Sequence, residues 1–254
     1  MIVPAAGRGS RLGAAIPKVL FPVKGRPMLD HLFDLYASVV DGFAVVLDPS
    51  TRKSVQRHCE GRDLRIEYAV QREPTGMLDA VLTPSRWVER HGASQVWITW
   101  CDQIAVHPET VSRLAALATH HDKAAIVLPT IMKNQPYVHL VRDRRGGIAE
   151  VRHRREHDTM PPVGENDLGL FSLSRSAYLR LLPAFAAQAQ RSTSTGERNF
   201  LPFLAWVSGR AEVRTFSGRD ETEAVGINTV DDLKQVEQYL DDDARRAVGH
   251  HSSL

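Results

Sequence analysis

Up to about residue 130, short apolar runs alternate with stretches whose apolar residues recur at helical spacing. That alternation restricts the chain to βαβ units around a mainly parallel sheet. Strands are expected at Ile2–Pro4, Gly42–Leu47, Arg65–Val70, Gln95–Trp100, Ala124–Pro129 and, later, Ala211–Phe216. Between them Met28–Val40, Gly76–Arg90 and Pro108–His120 carry the helical pattern, and Asp48-Pro49-Ser50-Thr51 reads as a turn into a helix over Arg52–Cys59. The first strand has only about three residues, where roughly five or six are usual. Either that strand is short or the chain begins slightly late.

The middle of the chain is different. Residues 136–176 hold two shorter strand-like stretches, Val138–Arg142 and Gly169–Leu173, around a polar segment with six arginines between Arg142 and Arg155. This segment reads as a β-rich insertion over the ligand-binding edge of the sheet. Pro183–Gln190 and Phe200–Val207 are expected to be helical, and Asp231–Leu240 to be an amphipathic helix opened by a Thr229-x-x-Asp232 capping box. One domain over residues 1–240 is the economical organisation, with residues 136–210 as its ligand-binding portion and 241–254 as a polar tail.

A net charge of +2 argues against a nucleic-acid binder driven by bulk charge. No apolar run approaches a membrane span and no signal peptide precedes the first strand. Two cysteines, Cys59 and Cys101, are too few and too far apart for a disulfide framework or a cysteine zinc site, so a reducing cytoplasm is the default. His107, His120, His121, His153 and His157 show no metal-ligand spacing and read as surface residues.

The residues richest in chemistry follow the first strand: Pro4-Ala-Ala-Gly-Arg-Gly-Ser-Arg-Leu-Gly-Ala-Ala-Ile-Pro-Lys18. Gly7, Gly9 and Ser10 allow a tight backbone whose N–H groups point at an anion, and Arg8, Arg11 and Lys18 bring positive charge to the same place. Leu12 stands where a dinucleotide fingerprint needs its third glycine, and no Gly-Lys-Ser/Thr closes a Walker loop. Pro17 fixes the backbone ahead of Lys18 so that the ammonium can return to the loop. A polyphosphate is the simplest ligand. Asp102 follows an apolar run and so lies at the carboxyl end of a strand, where open α/β sheets bind ligands.

Ala5-Ala6-Gly7-Arg8-Gly9-Ser10-Arg11-Leu12 with Pro17-Lys18 resembles the signature loop of the sugar-1-phosphate nucleotidyltransferases, in particular the uridylyltransferase domain that makes UDP-N-acetylglucosamine. Ser10 replaces the usual threonine and keeps the hydroxyl. Four later stretches are similar to family elements and come in the family's order. Gln71-x-x-Pro74-Thr75-Gly76 resembles the segment that reads the nucleotide base, for which a primary amide suits a uracil or thymine edge. Asp102, after Cys101 in place of glycine, and Asn228 in Gly226-Ile-Asn228 resemble the two metal ligands. Gly147-Ile-Ala-Glu150-Val-Arg152 resembles a sugar-binding segment, with Arg152 replacing a lysine. Asp167-Leu-Gly169 resembles an Asn-x-Gly element that contacts the sugar, and Glu197 survives in a segment that otherwise departs from the family. Taken singly, the later stretches read equally well as turns, helix caps or a solvated charge run.

The resemblance implies a Rossmann-like α/β fold with a doubly wound, mainly parallel mixed sheet and an inserted β-rich substrate-binding edge. It implies an enzyme that uses Mg²⁺, an NTP (UTP favoured) and a sugar 1-phosphate, with no nucleic-acid or membrane partner. Arg11 and Lys18 would be catalytic. Ala5, Ala6, Gly7, Gly9, Ser10, Arg11, Gln71, Thr75 and Gly76 would hold the nucleotide, and Glu150, Arg152, Asp167, Gly169 and Glu197 the acceptor. The departures at Asp167 and after Glu197 leave open CTP or dTTP with a cyclitol, polyol or aminoalcohol phosphate. A non-catalytic nucleotide sensor is a further alternative, disfavoured because Arg11, Lys18 and Asp102 are all present. The chain ends soon after Leu240 without hexapeptide repeats, so a single activity is expected.

Overall fold

A computed structural model describes residues 1–7 and 16–251. The first half alternates as the apolar pattern requires: β1 (Ile2–Pro4), a small hairpin of β2 (Pro22–Val23) and β3 (Arg26–Pro27), α1 (Met28–Tyr36), β4 (Phe43–Leu47), α2 (Arg52–His58), β5 (Ile66–Val70), α3 (Met77–Leu82), α4 (Ser85–His91), β6 (Gln95–Thr99) and α5 (Pro108–His120). The second half adds β7 (Ile126–Asn134), β8 (Val138–Arg142), β9 (Ile148–His153), β10 (Val163–Asp167), β11 (Leu170–Ser174), α6 (Leu182–Ala186), α7 (Pro202–Ser208), β12 (Val213–Ser217) and α8 (Val230–His251).

Among the described residues, eight strands form the main sheet, in the order β12-β7-β11-β6-β1-β4-β5, with β10 pairing the outer half of β7. β1, β4, β5 and β6 run parallel, β11 runs antiparallel between β6 and β7, and β12 runs parallel to β7. The sheet is therefore mixed and mainly parallel, with helices on both faces. β1 and β4 are buried along their whole lengths, as central parallel strands must be. One apolar core packs α1, α5 and α8 on one face, and a second packs α3, α4, α6 and α7 on the other.

Several expected elements change shape. The helix expected over Gly76–Arg90 is two, because Pro84 has no N–H to continue the ladder and instead caps α4. The helix expected over Pro183–Gln190 starts earlier, with a π turn over Ala177–Leu181 leading into α6. Two strands of the insertion were not anticipated, β9 and β10. β9 pairs with β8 in a separate two-stranded ribbon, so most of its residues stay solvated and its apolar alternation is weak. The polar stretch expected as a tail continues α8 to His251.

A register shift positions the site. Asp167 pairs with Thr130 but Ser172 pairs with Val127, so five residues on one strand are matched by three on the other. The excess lies at Leu168–Gly169. Gly169 has φ +66°, and a Cβ there would stand 2.7 Å from Trp100 Cδ1. Only glycine fits. The bulge lets β11 close onto the end of β6, where the Trp100 N–H donates to Gly169 O at 3.3 Å.

Candidate active site

The carboxyl ends of β1 and β6 carry the charged residues. After β1, the Ala5 N–H donates to Val46 O at 2.7 Å, which keeps Ala5 and Ala6 on the sheet edge. Pro17 then opens a tight turn over Lys18–Leu20, closed by the Leu20 N–H donating to Pro17 O at 2.8 Å and anchored by fully buried Val19. Lys18 Nζ donates to Asp102 Oδ2 and, at 2.9 Å, to Asn228 Oδ1. Three residues far apart in sequence thus meet, with the Lys18 and Asp102 side chains only 11% and 13% exposed.

The surroundings fix the partners. The Asn228 Nδ2 group donates to Gly226 O at 3.1 Å, so the amide oxygen faces Lys18. The Ile227 N–H donates to Asp102 O at 3.2 Å, and a Cβ on Gly226 would come within 3.2 Å of Asp102 Oδ1. Thr229 and Asp232 form the expected reciprocal cap at the start of α8, and Asp232 Oδ2 also takes the Asn228 N–H at 3.0 Å. Below them Gln103 donates to Glu223 O, while the wholly buried Glu223 carboxylate accepts the backbone N–H groups of His107, Arg219 and Asp220. Gly226, Gln103 and Glu223 were not singled out from the sequence; only their adjacency to Asp102 or Asn228 could have flagged the first two.

A second cluster lies at the end of β5. The Gln71 side-chain amide donates to Gly76 O at 3.0 Å and to Thr75 Oγ1 at 3.4 Å, which folds the Gln71–Gly76 loop on itself. Gly76 has φ +119°, and a Cβ there would sit 2.4 Å from the backbone N and O of Arg198. The Arg198 N–H donates to Thr75 O at 2.8 Å and its carbonyl accepts from the Leu78 N–H at 3.0 Å. Arg198, next to Glu197 in the chain, is thereby joined to the Gln71–Gly76 loop, a contact with no signal in the sequence.

The acceptor candidates divide. Glu150 and Arg152 face one another on β9 as an exposed ion pair at 3.0 Å, and Glu197 accepts two hydrogen bonds from Arg155 at 3.0 and 3.1 Å. Asp167 is buried. Its Oδ1 accepts the Gly169 N–H at 2.8 Å, while its Oδ2 is buried with no hydrogen-bond partner among the described residues. Desolvation pushes its pKa up to about 6, with the Gly169 N–H acting weakly in the opposite direction. Burial also pushes the Cys101 thiol up to about 12, which leaves it unreactive. His107, read as a surface residue, is instead buried at the N-cap of α5, where Nδ1 accepts the Glu109 N–H at 3.1 Å and Nε2 reaches Asp243 at 3.1 Å. Gly7 is described and exposed; Gly9, Ser10 and Arg11 lie outside the described residues.

Residues 1–165 match the MobA-like NTP transferase domain. The chain belongs to that family. Among curated proteins it is 27% identical over 253 residues to the bifunctional protein GlmU of Chromohalobacter salexigens, covering 98% of this chain and 53% of the relative. It is 24% identical over 242 residues to the GlmU of Alcanivorax borkumensis (94% and 51%) and 27% over 236 residues to that of Desulfitobacterium hafniense (90% and 49%). The chain spans about half the length of the curated relatives it matches. It is a nucleotidyltransferase, and no helix among its described residues is long and apolar enough to cross a membrane.

A divalent metal fits this family member's strand-end site. The Lys18 ammonium is a stand-in cation, bonded to one carboxylate and one amide oxygen, both hard donors. Among the described residues no group of three or more His, Cys, Asp or Glu side chains is arranged around a metal. Two protein oxygens would leave the remaining positions of a hard divalent ion to phosphate and water.

Proposed function

We propose that the protein transfers a nucleotidyl group from an NTP, with UTP favoured, to a sugar 1-phosphate, releasing pyrophosphate and requiring Mg²⁺. The observation that carries this reading is the convergence of Lys18, Asp102 and Asn228 at the ends of β1 and β6. A bound metal would supply charge neutralisation and orientation of the phosphates.

The acceptor's phosphate oxygen forms a bond to the α-phosphorus as the bond from α-phosphorus to the bridging oxygen breaks, and pyrophosphate leaves with that electron pair. A phosphate monoester is largely ionised at neutral pH, since its second pKa is about 6. No side chain need remove a proton. Gly7, Gly9, Ser10 and Arg11 hold the β- and γ-phosphates and steady the departing pyrophosphate. Lys18 bridges the α-phosphate and the acceptor phosphate. Asp102 and Asn228 would hold the metal. Ala5, Ala6, Gln71, Thr75 and Gly76 bind the nucleoside, and Glu150, Arg152, Asp167, Gly169 and Glu197 line the acceptor side. Catalysis is then positioning and electrostatics. Two buried cysteines with no disulfide fit a reducing cytoplasm.

Asp167 keeps a second reading open: a buried carboxylate where the resembling family has an amide departs from its sugar-binding pattern, which leaves CTP- or dTTP-dependent activation of a cyclitol, polyol or aminoalcohol phosphate as the alternative. A panel of UTP, CTP and dTTP against hexose 1-phosphates and these alternatives, read by pyrophosphate release, tests both. UTP with a hexose 1-phosphate is expected to give the highest kcat/KM. Release no faster than that of Asp102→Ala across the panel overturns both readings.

A further inference from the structure

The ammonium assigned above to the phosphates is the same group that fills the proposed cation site. Lys18 Nζ bonds both oxygens that would hold a divalent ion, Asp102 Oδ2 and Asn228 Oδ1. An ion bound to those oxygens at about 2.1 Å would lie beside Nζ, two like charges in a pocket where the Lys18 and Asp102 side chains are 11% and 13% exposed. The two arrangements exclude one another.

Little else has to change between them. The amide of Asn228 is already turned oxygen-inward by its bond to Gly226 O, and Asp102 is tied to the Ile227 N–H. Pro17 and buried Val19 pin the Lys18 backbone, so the ammonium leaves these oxygens by a swing of the four-carbon lysine stem. A triphosphate supplies the charge that attracts both the ammonium and the ion.

We propose that Lys18 is a placeholder for the metal. Its ammonium closes the Asp102–Asn228 site until the nucleotide draws it onto phosphate, so the divalent ion enters with the triphosphate and not before it. The placeholder keeps two part-buried oxygens satisfied and keeps the nucleotide-free protein from holding a metal. This rests on the transfer reading of the site, but its test does not use transfer.

Mn²⁺ is titrated into nucleotide-free wild type, Lys18→Met and Lys18→Met/Asp102→Asn, with unbound Mn²⁺ followed by electron paramagnetic resonance. Lys18→Met is expected to bind one Mn²⁺ about tenfold or more tightly than wild type, since removing a competing charge at this distance is a change of that order. The double variant is expected to lose the gain. Lys18→Gln serves as a second variant should Lys18→Met fold poorly. Affinity in folded Lys18→Met or Lys18→Gln within twofold of wild type overturns the proposal, as does a gain that survives Asp102→Asn. A gain without pyrophosphate release across the substrate panel would retain the placeholder and discard the transfer reading. Release without a gain would do the reverse.

Discussion

The two walls of the proposed cleft, one for the nucleotide and one for the acceptor, are built differently. On the nucleotide side, Lys18 is bonded through its ammonium to Asp102 and Asn228, the Ile227 N–H donates to Asp102 O, and the Lys18 and Asp102 side chains are nearly closed off at 11% and 13% exposure. On the acceptor side, Glu150 and Arg152 are 53% and 36% exposed and pair with each other, as Arg155 and Glu197 do. The first group inherits its position from a buried parallel sheet. The second is held by solvated ion pairs, which contribute little to stability and can be re-formed around a ligand. On the proposed reading, a site made this way would keep its transfer chemistry constant while its acceptor wall is free to change.

The sharpest way to break this contrast is to remove a strand-end charge. Asp102→Ala and Lys18→Ala should each lower turnover by roughly 10²-fold or more, the usual cost of one preorganised electrostatic contact. Near-normal pyrophosphate release by Asp102→Ala in Mg²⁺ would show that the buried side is not the reacting side.

Gly76→Ala tests whether the two walls are locked together. A Cβ only 2.4 Å from the Arg198 backbone, at φ +119°, should cost about 3 kcal/mol, measured by urea unfolding. Loss below about 0.5 kcal/mol, the scale of an indifferent surface change, would mean that the contact with Arg198 is not maintained.

Asp167 is the exception on the acceptor side, because it is buried. Its folded pKa of about 6 lies above its ordinary 3.8, so between those values the folded protein takes up a proton that the unfolded chain does not. Stability from this group is therefore greatest at low pH and is lost as pH rises through about 6. Subtracting the Asp167→Asn unfolding profile isolates it: the wild type should lose up to about 3 kcal/mol relative to the variant between pH 4 and pH 7. A pH-independent difference would place the carboxylate in contact with water.

The smallest effect is expected at Arg155→Met, which breaks the exposed pair with Glu197. It should change unfolding free energy by less than about 1 kcal/mol while altering KM for the acceptor more than KM for the nucleotide. A larger shift in the nucleotide KM would reverse the assignment of the two walls.

Local rules made much of the fold legible. α5 runs over Pro108–His120 and β8 over Val138–Arg142, the bounds their apolar spacing indicates, and Thr229 with Asp232 caps α8 as their spacing requires. Asp102 follows an apolar run, which placed it at a strand end before any contact was known. The acceptor wall was harder to read. β9 alternates in a ribbon with one wet face, so neither of its faces is strongly apolar, and Pro84 divides a pattern whose periodicity alone continues through it.

The sequence by itself determined the alternation that makes a mainly parallel sheet and the chemical types available at its carboxyl edge, because side-chain periodicity and capping act over a few residues. Only the tertiary structure decided that Lys18, Asp102 and Asn228 share one set of hydrogen bonds, that Arg198 closes on Gly76, and that Asp167 is buried while Glu150 is not. Those contacts join elements 84 to 210 residues apart in the case of Lys18. Strand order and a two-residue bulge set them, and no local preference encodes either.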